Sequence, residues 1–412
     1  ALLTASETAH DMETAEEMGI YVEPYVDVSE MVSWKDDIVD QLTGGVEQLC
    51  RQNGVDIIDG RAHFRDDHTV AVSEGEDIRF ENAIVATGSS PMMLPGFDFA
   101  DDPVLDARQA LAIDGVPPRL LVVGAGYIGM ELSTVFARLG TDVTVVEMLE
   151  EPLPQYDDEL TQPVYDAATA LGIDIHFGEA ASEWSHTSEG IRVTTETDDE
   201  TVNEYEVDRV LVAIGREPVT EGLQLEQLAV TTDEQGFIQS DNSGRTNEDH
   251  IFAVGDVAGE PMLAHAGAHE GIRAVETIAG NPTDDATAVP AVVFTEPEIA
   301  TVGLSPEEAA ESNLDPTVGK FPFSASGRAM TTRQTDGFVR VVATADGRIV
   351  GGQIVGPEAS ELIAELGLAV ETGLTLSDLS ETIHSHPTLS EATMEAAEHA
   401  LGQAIHTLNR SQ

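Results

Sequence analysis

The chain has 412 residues, 41% of them hydrophobic, and carries 76 acidic against 19 basic residues for a net charge of −57. That length is too great for one core and points to two to four domains. The charge excludes nucleic acid and anionic membrane surfaces as partners, no apolar run is long enough to span a bilayer, and the one cysteine, Cys50, excludes an intrachain disulfide framework.

So acidic a chain would read as disordered if it lacked hydrophobic pattern, but glycine turns and apolar periodicity run throughout. The composition instead predicts a cytoplasmic protein of a halophile. At 1 M salt the screening length is about 3 Å, and self-repulsion of this size is tolerated. The melting temperature is expected to fall when molar KCl is exchanged for millimolar KCl; an unchanged value would refute this reading.

In chain order, residues 1–50 alternate helical patches with acidic turns, and Met31–Cys50 predicts one amphipathic helix. Residues 54–88 predict short strands in VDIIDG, AHF, TVAVS and IRFENAIVATG. Residues 91–118 are a connector. RLLVV (119–123) predicts a buried strand, GAGYIG (124–129) a glycine turn, Met130–Leu139 a helix and Asp142–Val146 a second strand ending at Glu147. This is a βαβ unit, and it implies a parallel sheet. VDRVLVAIGR (207–216) and HIFAVGDVAG (250–259) predict further strands running into glycines, and a helix extends from there to Gly280. From Pro290 strands dominate, with a hairpin over 337–356 turning at Asp346-Gly347. Helices at about 358–373 and 390–407 close the chain.

Three motifs bear on chemistry. GxGxxG alone is weak, but here it lies between a strand and a helix, with an acid 23 positions after Gly124. That combination marks a dinucleotide site. Gly124 permits the tight turn, Gly126 admits a pyrophosphate and Gly129 lets helix and strand pack. Unpaired N–H groups at the helix start attract phosphate. Glu147 would accept from the ribose 2′-OH and repel a 2′-phosphate, favouring NAD over NADP. In IFAVGDV, Asp256 is either a helix cap or a carboxylate that bonds a cofactor hydroxyl. Met262–His265 then opens a helix that could face an electron-rich ring, and ATGS (86–89) suits backbone contact with a cofactor. In HSHPTLSE (384–391), two histidines two apart make no metal pair. Either His386-Pro387 is a turn before a helix capped by Ser390, or Glu391 orients the His386 ring as a general base.

GAGYIGMELSTVFARLGTDVTVVE (124–147), IFAVGDVAGEPMLAHAGAHEG (251–271), FTEPEIATVGLS (294–305) and HSHPTLSEATMEAAEHALGQAIH (384–406) together resemble the dihydrolipoamide dehydrogenase family of flavin-dependent pyridine nucleotide–disulfide oxidoreductases. The resemblance implies an α/β fold with two Rossmann-like nucleotide-binding domains, the first incomplete, and an α+β interface domain that makes a homodimer. FAD would be held by 1–116 and 241–288, NAD by 117–240, and dimerisation would fall to 289–412. Gly124, Ala125, Gly126, Gly129 and Glu147 would hold NAD, with Ala181 and Gly215 lining that site. Tyr127, Ile128 and Glu131 would lie where nicotinamide meets flavin. Gly255 and Asp256 would meet the FAD ribityl chain. Met262, Leu263, Ala264 and His265 would cover the flavin's pyrimidine side, and Ala62, Thr87, Gly88 and Ser89 its nucleotide part. His386, oriented by Glu391, would take a proton from dihydrolipoamide beside the flavin of the other subunit. The partner would be a lipoyl-bearing acyltransferase of a 2-oxo acid dehydrogenase complex, or the glycine-cleavage carrier.

The family's own FAD-binding GxGxxG and its CxxxxC helix with a trailing lysine are not in this sequence; Ala1-Leu2-Leu3-Thr4 resembles the family's segment directly after that lysine. Glu131 would normally pair with that lysine. Two other readings therefore stay open: a non-catalytic NAD-binding paralogue, and a flavin diaphorase or NADH oxidase.

Overall fold

The computed structural model describes residues 1–73, 75–282 and 288–409. Residues 283–287, within the expected 241–288 segment, and 410–412, at the end of the expected interface segment, lie outside the described residues, as does residue 74. The chain divides into two compact bodies. One comprises Ala1–Val32, Met93–Ile214 and Ala286–Gln412, the other Ser33–Met92 and Gly215–Asp285.

The first body is built on a five-stranded parallel sheet. Its order is Val104–Leu105, Arg209–Val212, Arg119–Val123, Asp142–Val146 and Asp174–His176. RLLVV and DVTVV are near-continuous apolar runs because both faces of this sheet are covered. Successive side chains point to opposite faces. Leu120, Val122, Val143 and Val145 meet residues of the helices Tyr127–Arg138 and Asp158–Ala170. Leu121, Val123 and Val146 share a second core with Ile191, Val193 and Val207 of an antiparallel three-stranded meander. Chain order reverses between Arg119–Val123 and Arg209–Val212, so a crevice forms beyond their carboxyl ends.

The same body holds a five-stranded antiparallel sheet in the order Ala291–Val293, Glu298–Gly303, Ile349–Gly356, Phe338–Ala343 and Thr317–Pro322. Val293, Ile299, Phe338 and Val355 join the helix-side core of the parallel sheet. The opposite face is covered by Ala359–Thr372, Leu376–Glu381 and Glu391–Ala400. Gly319 permits the closest approach there: a Cβ on it would lie 1.9 Å from the Ala396 carbonyl oxygen. The helix that begins at Glu391 is thereby seated on the strand Thr317–Pro322.

The second body contains the antiparallel strands Ala62–Asp66, Thr69–Val72 and Ile78–Arg79, a parallel pair of Ala83–Val85 with Ile251–Ala253, and an antiparallel pair of Ser89–Pro91 with Arg216–Pro218. Phe64, Val85, Ile238, Ile251 and Val257 form its core.

The structure departs from the sequence expectations in several elements. The amphipathic helix runs from Val28 to Gln52, and the N-terminal helical patch is Leu2–Thr14. VDIIDG is not a strand; it is exposed apart from any ladder, because its apolar residues have no partner strand among the described residues. The long segment read as IRFENAIVATG is broken into Ile78–Arg79 and Ala83–Val85. The last helix stops at Ala400 rather than 407, where Leu401 and Gly402 end the regular bonding and Gly402 adopts φ +73°. Leu376–Glu381 was not foreseen; it starts at a capping box of Thr375 and Asp378.

Candidate functional site

The glycine turn sits at the carboxyl end of Arg119–Val123, in the crevice. Gly124 has φ +105°, and a Cβ there would come within 2.6 Å of the Ala213 carbonyl oxygen. A Cβ on Gly129 would lie 2.0 Å from the Gly124 carbonyl oxygen. Both positions therefore need glycine for the fold itself. Gly126 does not: nothing lies within 4 Å of its would-be Cβ, and its φ is −71°. A glycine the protein interior does not demand, at the start of a helix with no side-chain cap, fits a turn that keeps its backbone open to a pyrophosphate. The residues present thus fit NAD.

Glu147 does more than its spacing suggested. Its Oε2 accepts from the Ala125 N–H at 2.6 Å and its Oε1 from the Leu149 N–H at 2.9 Å. The carboxylate expected at the ribose also braces the turn. Ala181 is buried in the core on the meander side of the sheet. Gly215 stands with Met92, whose N–H donates to the Gly215 carbonyl at 3.0 Å, and both belong to the second body. Tyr127 and Ile128 are partly exposed in the first turn of the helix. Glu131 accepts from the Phe294 N–H at 2.9 Å, and burial pushes its carboxyl up, only partly offset by that hydrogen bond. Beneath the site, Glu179 is buried and accepts from Asn203 Nδ2 at 3.0 Å and from the Tyr205 hydroxyl at 2.9 Å. Burial first, and then this carboxylate, push the Tyr205 phenol upward, so it stays a donor.

In the second body, Gly255 and Asp256 follow the strand Ile251–Ala253 in a short 3-10 turn. Asp256 is no helix cap. Its Oδ2 accepts from the Ser89 hydroxyl at 2.5 Å, and the Gly255 N–H donates to Glu270 Oε2 at 2.7 Å. Thr87 and Gly88 lie on the loop leading to Ser89; the Thr87 hydroxyl donates to the Val219 carbonyl at 2.6 Å, and Gly88 has φ +72°. The helix Ala264–Ile278 starts after Met262 and Leu263. It has no side-chain cap and no acid in its first turn, so its N-terminal N–H groups are not given to a carboxylate. His265 is exposed in that turn, and Ala62 is exposed at the start of its strand. A hydroxyl acceptor beside an uncapped helix start fits the part of FAD assigned to these residues. Glu270 and Arg216 belong to this cluster and were missed; the one signal for Arg216 was its place directly after the glycine of AIGR.

The His386 loop belongs to the first body. His386 Nδ1 is 3.0 Å from Glu391 Oε1, while Glu391 Oε2 accepts from the Thr388 N–H at 2.9 Å. Burial would raise the Glu391 carboxyl, but the Thr388 N–H and the His386 ring hold it below the usual carboxylate range. Ser390 stands at the cap position yet makes no capping bond; its hydroxyl meets that of Thr388 at 2.9 Å instead. His384 pins the other end of the loop, with Nε2 2.9 Å from Glu365 Oε1 and a side chain only 7% exposed. The His386 side chain is 80% exposed. With Nδ1 committed to the carboxylate, Nε2 is the ring nitrogen left for another partner.

Comparison with known proteins finds relatives over the full length of the chain. The family model for pyridine nucleotide-disulphide oxidoreductases matches residues 2–271, and that for their dimerisation domain matches 289–397. A dihydrolipoyl dehydrogenase of Halobacterium salinarum is 58% identical over 418 residues, spanning 100% of this chain and 88% of that protein. One from Geobacillus stearothermophilus is 43% identical, with 100% and 88% covered. Among solved structures, LpdA from Mycobacterium tuberculosis superposes with a TM-score of 0.88 at 26% identity over 96% of this chain and 88% of that one. The flavoprotein disulfide reductase RclA of Escherichia coli gives 0.84 at 25% identity, over 97% and 89%. The chain belongs to the pyridine nucleotide-disulphide oxidoreductase family, alongside its dihydrolipoyl dehydrogenases.

Proposed function

We propose that this chain supplies the nucleotide sites and the proton acceptor of a dihydrolipoyl dehydrogenase. The observation that carries the reading is the His386–Glu391 pair, 3.0 Å apart, with the His386 side chain 80% exposed on a segment matching a dimerisation domain. His386 Nε2 takes the proton from a thiol of dihydrolipoamide. Glu391 holds the opposite nitrogen, selects the tautomer and stabilises the imidazolium that forms. Gly124, Gly126, Gly129 and Glu147 hold NAD; Asp256, Ser89 and the start of Ala264–Ile278 hold part of FAD. When bound, these cofactors supply acceptors for the electron pair released by the dithiol. Disulfide exchange needs two thiols, and Cys50 is the one cysteine of the 412 residues, so the exchange is assigned to no residue here.

A base so exposed gains a defined site when a second copy covers it, and the dimerisation-domain match supports a homodimer. The natural substrate is then a lipoyl group carried by an acyltransferase of a 2-oxo acid dehydrogenase complex, or by the glycine-cleavage carrier. No helix among the described residues is long and apolar enough to cross a membrane, and a reducing, salt-rich cytoplasm is the setting this chemistry implies.

The test is to purify the protein in molar KCl, record its flavin spectrum and follow NADH with a dye and with lipoamide. Turnover of lipoamide and a bound flavin support the proposal. Dye reduction alone would replace it with a diaphorase. Absence of flavin with retained NAD binding would leave a nucleotide-binding paralogue.

A further inference from the structure

Asp256 does not stand alone in the second body. The Arg216 guanidinium donates from Nε to the Ser89 hydroxyl at 2.7 Å and from Nη2 to the Ser89 carbonyl at 2.8 Å. The Ser89 hydroxyl donates its hydrogen bond to Asp256 Oδ2, and Arg216 Nε lies 4.0 Å from that same oxygen. The three residues are 127 and 167 positions apart in pairs with Ser89. They are held together by the antiparallel pairing of Arg216–Pro218 with Ser89–Pro91, in which Pro218 faces Ser89 and Arg216 faces Pro91. Both charged side chains are about a quarter exposed, Arg216 at 27% and Asp256 at 26%, so solvent reaches the cluster but does not dominate it.

We propose that Arg216 is a positioning residue for the flavin: through Ser89 it orients the Asp256 carboxylate and reserves the other carboxylate oxygen, Oδ1, for a hydroxyl of the cofactor's ribityl chain. The inference rests on the assignment of Asp256 to FAD. The physical reason is donor geometry. A serine hydroxyl has one proton; with two guanidinium donors fixing its oxygen and carbonyl, that proton is directed to the carboxylate. Asp256 is then locked at Oδ2 and cannot rotate to satisfy itself elsewhere. Lysine cannot replace this, because an ammonium lacks the planar fork that meets both Ser89 oxygens at once.

The test uses the flavin-loaded full chain in molar KCl, and its first readout is the dissociation constant of FAD from recovery of flavin fluorescence. Asp256→Asn is expected to weaken FAD binding by about 10- to 100-fold, the worth of a hydrogen bond to a charged group. Arg216→Met is expected to weaken it about tenfold, and Arg216→Lys nearly as much. Arg216→Met combined with Asp256→Asn should be no weaker than Asp256→Asn alone, because the arginine acts only through the acid. The flavin absorption band should shift alike in Arg216→Met and Ser89→Ala, with the melting temperature of the flavin-free protein little changed in Ser89→Ala. If Asp256→Asn keeps full affinity, the assignment of Asp256 to FAD fails. If Asp256→Asn loses affinity while Arg216→Met keeps it, or if the two losses add, the assignment stands and the positioning role of Arg216 is overturned.

Discussion

Replacing His386 with alanine, in a protein that also carries the redox dithiol, is expected to lower dihydrolipoamide oxidation by roughly 10²–10⁴-fold, the usual loss when a positioned general base is removed. NADH–dye reduction should be unchanged, because that path takes no proton from a thiol. The separation is possible because the ring is 80% exposed and makes its described bond through Nδ1 alone. Its removal costs little folding energy, within about 0.5 kcal/mol for an exposed side chain outside the core. Equal loss in both assays would mean the histidine holds the fold rather than moves a proton. Glu391→Gln should give an intermediate loss, since an amide oxygen can still accept from Nδ1 but brings no charge to stabilise the imidazolium. The pH dependence has a definite sign. The Glu391 carboxyl is held below its ordinary range, so its contribution to the loop is present above that range and is lost as pH falls through the lowered value. Loosening of the His386 loop is therefore expected on the acid side. Hydrogen exchange at the Thr388 amide, which donates to Glu391, would report it.

Arg340→Met is expected to destabilise the protein by about 3 kcal/mol, the low end for breaking a buried ion pair. Arg340 lies on the strand Phe338–Ala343 and is 4% exposed. Its Nε donates to Gln353 Oε1 at 2.9 Å, its Nη1 to Glu159 Oε2 at 3.1 Å, and its Nη2 pairs with Asp157. Asp157 is the N-cap residue of the helix Asp158–Ala170, yet it makes no capping bond with its side chain. The carboxylate is spent on the arginine instead. One buried cation thus ties the start of a helix on the parallel sheet to the antiparallel sheet. Loss of the cation strands Asp157 and leaves Gln353 with an unmet acceptor. The low end of the range applies because Glu159 is 60% exposed and regains water. Lys320, 3.3 Å from the same glutamate but 34% exposed, should cost less than about 1 kcal/mol when replaced by methionine. Denaturant unfolding in molar KCl measures both. Equal effects for the two variants would show that the arginine contributes only surface charge.

Much of the NAD site was legible because its parts lie close in sequence and each has a local signature. A glycine at positive φ, a strand of unbroken apolar residues and an acid one strand later are all properties of one short stretch ending at Glu147. The His386–Glu391 pair was legible for the same reason, five positions apart on one loop. The second role of Glu147 was not, because bracing Ala125 and Leu149 depends on how the carboxylate turns back onto its own crevice. Nor was the failure of Ser390 to cap its helix, which comes from Thr388 standing within reach of its hydroxyl.

The amino-acid order by itself determined the βαβ unit, the acid at its end, the hairpin at Gly347, the family and the pairing of His386 with Glu391. These arise from backbone sterics, side-chain alternation and short spacings, which neighbouring residues settle among themselves. Tertiary structure alone decided that Arg216 meets Ser89 and Asp256, that Asp157 gives up its cap to Arg340, and that Gly319 seats the helix of Glu391. Those contacts join residues tens to hundreds of positions apart, and their partners are selected by sheet register and helix packing, which no local pattern encodes.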